Sequence, residues 1–120
     1  MKIIIPSKVQ PVPTESALFT GKVTRQPAVS DDMSKSFNLS IVNFPAGVRN
    51  KFHTHTTDQV LIVTAGAGIV ADDHGQHRVI VGDIIHIPAG EKHWHGAGRD
   101  AAFSHITLTG VGSQTQQIEP

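Results

Sequence analysis

The sequence predicts an all-β barrel. Short runs rich in β-branched residues recur along the chain, and turn signals separate them roughly every 8 to 12 residues. No stretch of about a dozen residues carries a helical period. The 120 residues suffice for one hydrophobic core, so a single domain over 1–120 is expected.

Val9 to Glu15 holds two prolines and reads as a loop or an extended edge segment. Ala17 to Arg25 reads as a strand and the polar stretch Gln26 to Lys35 as a loop. Along the strand that starts near Ser36, Phe37, Leu39, Ile41 and Asn43 share one face. Asn38, Ser40, Val42 and Phe44 share the other, because strand side chains alternate. Pro45-Ala46-Gly47 is a turn signal. Gln59 to Thr64 is a β-branched run ended by Ala65-Gly66-Ala67-Gly68, and Gly68 to Ala71 forms a further short strand. Asp72-Asp73-His74-Gly75 suits a hairpin turn, from which His77 to Val81 returns. Gly82-Asp83 turns the chain into Ile84 to Ile87, and Pro88-Ala89-Gly90 breaks it again. Phe103 to Leu108 is the final strand, and the glutamine-rich tail after Gly112 reads as mobile.

Lysine plus arginine number 10 and aspartate plus glutamate 10, a formal net charge of zero. Such a balance gives no electrostatic reason to expect nucleic acid or an anionic membrane as partner. There is no cysteine, hence no disulfide framework and no thiolate metal site. Met1 to Pro6 is too short for a signal peptide, and no apolar run approaches the roughly 18 residues that cross a bilayer. A cytoplasmic setting is expected.

The chain has eight histidines and no tyrosine. Histidine is the commonest metal ligand and the usual acid or base near neutral pH. In His53-Thr54-His55, residues two apart on an extended segment point the same way, so two imidazoles converge. Thr56-Thr57-Asp58 can turn the chain so that the Gln59 amide faces the same point. His93, after the Pro88-Ala89-Gly90 turn, can reach the pair from an adjacent strand. This predicts a divalent transition metal held by His53, His55, Gln59 and His93.

The spacing of these residues resembles the two cupin motifs. Gly47, His53, His55, Gln59 and Gly66 are separated by five, one, three and six residues, which is similar to the first motif, over about 47–66. Gly82, Pro88, Gly90 and His93, separated by five, one and two, are similar to the second, over about 82–97. The resemblance implies a double-stranded β-helix, or jelly-roll, barrel. Two positions depart from it. Gln59 stands where glutamate is usual, and Ala97 where asparagine is frequent. Three neutral imidazoles and a carboxamide leave a bound dication uncompensated, which favours anions and strengthens Lewis acidity while weakening metal affinity. Mn²⁺ is favoured, with Fe²⁺, Zn²⁺ or Ni²⁺ as alternatives.

His105 shares a face with Phe103 and Thr107. It is either a base beside the metal or a buried, hydrogen-bonded core histidine. His95, two residues after His93, shares its face or lies at the rim. Ser40, Val42, Phe44, Leu61, His95 and Thr107 are candidates to line a substrate pocket. Phe52, Leu61 and Val63 also read as core, Trp94 as packing opposite His93, His86 as structural, and His74 and His77 as solvated.

Among small single-domain cupins, the chain is similar to the manganese-dependent cupin hydroxynitrile lyases of bacteria. The likeness lies in His53-Thr54-His55, in Gln59 and the run to Gly66, in Gly90-Glu91-Lys92-His93-Trp94-His95-Gly96, and in Ser104-His105. It implies cleavage of a cyanohydrin to an aldehyde and cyanide, and the reverse, with His105 as base. Other readings stay open: a cupin converting uronates or other sugar acids, a metal-dependent dioxygenase, or a non-catalytic module binding a metal and a small acid. In each, the partner is a small molecule, anionic or hydroxyl-bearing. A homodimer or homotetramer is expected, with the segment up to Pro13 pairing with a neighbour's sheet edge.

Overall fold

The computed structural model describes all 120 residues. A single turn of 3₁₀ helix, Pro6–Lys8, precedes ten strands. They are β1 (Val12–Thr14), β2 (Val23–Val29), β3 (Phe37–Phe44), β4 (His53–His55) and β5 (Gln59–Asp72), then β6 (Gly75–Ile80), β7 (Ile84–Ile87), β8 (Trp94–Ala97), β9 (Phe103–Gly110) and β10 (Thr115–Gln117). Every pairing between them is antiparallel.

The main sheet runs β1-β2-β3-β9-β5-β6, and β5 also pairs with β7 and β8. The first half of β5 lies between β9 and β7, and its second half between β6 and β8. One long strand therefore stands where the sequence suggests two short ones. Its ladder with β9 shifts register between Val63 and Ala65. Gly66 follows with φ +70°, and a Cβ there would lie 1.9 Å from the Ala102 carbonyl oxygen. A bulge with a glycine beside it bends a strand without ending it.

Alternation decides what is buried. On β3, Ser40, Val42 and Phe44 are buried, and on β9 so are Phe103, His105 and Thr107. Val23, Val42, Phe44, Val63, Val70, Val79, Ala97 and Phe103 form the apolar core, with Leu61 fully buried nearby. The core face continues into histidines and hydroxyls toward one end of the barrel.

Two sequence expectations, the extent of β2 and the mobility of the tail, need correcting. β2 begins only at Val23 and takes in Gln26 to Val29, which read as loop. Pro27 hid it, and Pro27 is tolerated because the β2–β3 register shifts between Pro27 and Val29. The tail after Gly112 is ordered: β10 pairs with β4, and the amides of Ile118 and Glu119 both donate to the Phe52 carbonyl. Its polar composition concealed this, because the pairing is made by backbone and by the Arg49–Glu119 ion pair at 2.8 Å. Of the N-terminal segment, Val12–Thr14 pairs with the chain's own β2. No helix is long and apolar enough to cross a membrane.

Candidate metal centre

β4 is three residues long, and its alternation places the His53 and His55 rings 4.9 Å apart. His53 and His93 exchange both backbone hydrogen bonds, at 3.0 and 3.1 Å. Directly opposed residues of an antiparallel pair send their side chains to the same side, and these two rings lie 4.3 Å apart. The turn before β5 is held against the Pro88–Gly90 turn: Gly90 N–H donates to the His55 carbonyl, and Ala89 N–H to the Asp58 carboxylate. The sequence separation of His93 is closed by these contacts.

One ring nitrogen of each of His53, His55 and His93 falls within 4.8 Å of the others. The outer nitrogens are tied back. His53 Nδ1 lies 2.6 Å from the Lys51 carbonyl, His93 Nδ1 lies 2.8 Å from the Glu91 carbonyl, and His55 Nδ1 lies 3.0 Å from Thr115 Oγ1. A carbonyl can only accept, so Nδ1 carries the proton in His53 and His93 and Nε2 presents its lone pair inward. His55 Nε2 is buried with no hydrogen-bond partner. Gln59 Nε2 donates to Thr107 Oγ1 at 2.8 Å, which turns Oε1 toward His93 Nε2 at 3.0 Å. Two electron pairs then face each other across that gap. An orphaned imidazole nitrogen beside opposed lone pairs is what a cation would satisfy, so the donor set fits a divalent metal.

Electrostatics agrees. Burial, reinforced by the His93 charge, lowers the pKa of His53 to about 3. Burial and then His93 lower His55 to about 4, and burial lowers His93 as well. Protonation of the trio is therefore disfavoured and the neutral, ligating form is kept.

Behind the trio lies a second buried pair. The His95 ring stacks on His93 with centroids 5.7 Å apart, and His105 Nε2 lies 3.0 Å from His95 Nδ1. With His105 Nδ1 directed at the Ile106 carbonyl, His95 Nδ1–H donates to His105 Nε2, and Asn50 Nδ2 donates to His95 Nε2 at 3.2 Å. Asn50 Oδ1 also accepts from the His95 amide. Burial first, then the charges of neighbouring histidines, holds His95 well below the usual range. Burial lowers His105 to about 4, with Arg25 adding to the shift.

A cavity of about 340 Å³ opens at this end of the barrel, lined by Arg25, Ser40, His55, Gln59 and Thr107 among others. Of the six residues expected to line a pocket, Ser40 and Thr107 do so. Val42 and Phe44 belong to the apolar core instead, Leu61 is fully buried, and His95 lies behind the trio. Phe44 forms the floor under His95 and His105, with centroids at 5.9 and 5.6 Å. His86 is exposed and pairs with Asp58. Trp94 is buried under the Arg49 guanidinium, 4.6 Å above its ring.

Sequence reasoning did not find Arg25, Asn50 or Thr115. Each sits in a segment without motif spacing, and its role follows only from strand pairing. For Arg25 the alternation signal was available once β2 was known, since Arg25 pairs with Val42 and Val42 with His105.

An antiparallel barrel with three imidazoles at one end that could hold a metal ion, and a carboxamide beside them, is the architecture of the cupin class. The chain belongs to the cupin family: the family model described as Cupin domain matches residues 40–109. It is 36% identical over 91 residues to the (R)-mandelonitrile lyase of Granulicella tundricola, covering 75% of this chain and 70% of that one. It is also 36% identical over 66 residues to an acireductone dioxygenase of Synechococcus, 49% of this chain but 36% of that one. The chain thus matches about a third of the length of the dioxygenase. Among solved structures, a cupin-like protein from Thermotoga maritima superposes with a TM-score of 0.82 at 29% identity, over 89% of this chain and 84% of that one.

Proposed function

We propose that this protein is a metal-dependent lyase of the hydroxynitrile lyase type, which cleaves a cyanohydrin to an aldehyde and cyanide and runs the reverse addition. The observation that carries the reading is the inward-facing set of His53, His55, His93 and Gln59, with no carboxylate among the donors. Similarity to a mandelonitrile lyase over most of both chains supports the reaction type. A divalent ion on these four residues, manganese by preference and iron, zinc or nickel otherwise, supplies Lewis acidity that acidifies a hydroxyl and stabilises developing negative charge.

The chain's own residues do the rest. His55 and Gln59 open onto the cavity, while Ser40 and Thr107 offer hydroxyls to orient a small polar substrate. His105 is the base in this reading: it is buried behind the cavity, and its Nε2, which accepts from His95 Nδ1–H at rest, takes the hydroxyl proton once that hydrogen bond opens. Burial keeps it neutral at rest, the form a base needs. As the oxygen forms its carbonyl, the C–CN bond breaks and its electron pair leaves on cyanide. The imidazolium then returns the proton, releasing hydrogen cyanide and an aldehyde. The protein works in this reading as a cytoplasmic homodimer or homotetramer, with exposed Ile80, Val81 and Ile84 as apolar surface available for assembly.

Manganese-loaded protein is expected to release cyanide from mandelonitrile, and His105→Ala to lose about a hundredfold or more of that rate. No cyanide from the loaded wild type, or undiminished release by His105→Ala, would contradict the assignment.

A further inference from the structure

Arg25 stands out among the residues of the cavity. It lies on β2 opposite Val42, which lies opposite His105, so its side chain leaves the sheet on the inner face. It lines the same cavity as His55 and Gln59. The ion pairs of the chain involve Arg49, His86 and Lys92, and Arg25 has none. The one carboxylate lining the cavity, Asp31, is turned to other partners: its oxygens accept from Asn38 Nδ2 at 2.8 Å and from the Gly112 amide at 3.3 Å. Arg25 is exposed, so a guanidinium with five donors and no counter-ion is open to ligands in a cavity that His55 and Gln59 also line.

We infer that Arg25 is a carboxylate-recognising residue, and that beside the cyanohydrin of the proposed reaction this cavity takes a small α-hydroxy or α-keto acid. Its carboxylate would sit on Arg25 and its hydroxyl or carbonyl oxygen would point toward His55 and Gln59. The inference rests on the reading of His53, His55, Gln59 and His93 as one centre. It adds a selectivity that a neutral cyanohydrin does not use. The physical ground is that guanidinium and carboxylate form parallel, charge-assisted hydrogen bonds, and that the donor set of His53, His55, His93 and Gln59 adds no negative charge to that of Asp31, whose oxygens are already engaged by Asn38 and Gly112. Ser40 and Thr107, which line the same cavity, supply hydroxyls to such a molecule.

Titration calorimetry with mandelate and with its neutral amide, mandelamide, tests this on wild type, Arg25→Gln and Arg25→Lys. Each protein is measured metal-loaded and after chelation, with metal content read by mass spectrometry. Mandelate is expected to bind wild type more tightly than mandelamide, and Arg25→Gln to weaken mandelate by about tenfold or more while leaving mandelamide unchanged. Arg25→Lys should recover part of the loss, and added salt should weaken mandelate alone. Wild type that fails to bind mandelate, or Arg25→Gln that binds it equally well, would overturn the inference. The two readings fail separately: a wild type that holds no metal but still loses mandelate binding on Arg25→Gln removes the metal centre and keeps the carboxylate site.

Discussion

Gln59 decides the charge of the centre. Its amide Nε2 is held by Thr107, and its Oε1 is presented beside His93 Nε2. Gln59→Glu would place one negative charge among the imidazoles. Metal affinity, measured by competition with a chelator, should rise by about tenfold or more, while anion binding in the cavity should fall. An unchanged affinity would show that Gln59 does not face the ion. Thr115 is the matching test of support from outside: its Oγ1 lies 3.0 Å from His55 Nδ1 and can accept a proton from it when Nε2 is the ligating nitrogen. Thr115→Val should reduce metal affinity by roughly 10- to 100-fold with the fold intact by circular dichroism. The three histidines were legible in the sequence because alternation and motif spacing fix them. Thr115 and Asn50 were not, because a supporting residue is defined by the atom it touches, and no spacing encodes that.

At the scale of elements, β5 is the strand on which the barrel turns. Its bulge after Val63 and the positive φ of Gly66 let it serve β9 and β7 with one half, and β6 and β8 with the other. Gly66→Ala meets both the left-handed backbone and the Ala102 carbonyl at 1.9 Å. The substitution should cost at least about 2 kcal/mol in denaturant unfolding, and a neutral result would remove the bend from the account. The Asp72–Gly75 hairpin and the Gly82-Asp83 turn were readable because their residue types carry the turn geometry. The extent of β2 and the existence of β10 were not. A proline masked the first and polar composition the second, and in both cases partners distant in sequence supply the pairing.

For the whole molecule, the consequence of the site is a cluster of buried neutral histidines. The folded chain holds His53 near 3 and His55 and His105 near 4, against an ordinary 6.5. Groups with depressed values bind fewer protons folded than unfolded, so stability rises with pH through that interval. Metal-free protein should therefore be most stable above pH 6.5 and lose thermal stability as the pH falls from there toward 4. A melting temperature that is flat or rises on acidification would contradict the buried cluster. Bound metal should raise the melting temperature at neutral pH and dissociate on the acid side, since protons and metal compete for the same nitrogens. The barrel class was readable from strand length and turn spacing. The clustering of five histidines in one region was readable only in part, because it depends on how β4, β8 and β9 face each other.

The most direct test is the metal content of freshly purified protein, read by mass spectrometry beside His53→Ala, His93→Ala and the exposed control His77→Ala. About one transition-metal ion per chain is expected in wild type and in His77→Ala, and little in the other two. Wild type without metal even after manganese loading, or equal occupancy in all four proteins, would contradict a centre made by His53, His55, His93 and Gln59.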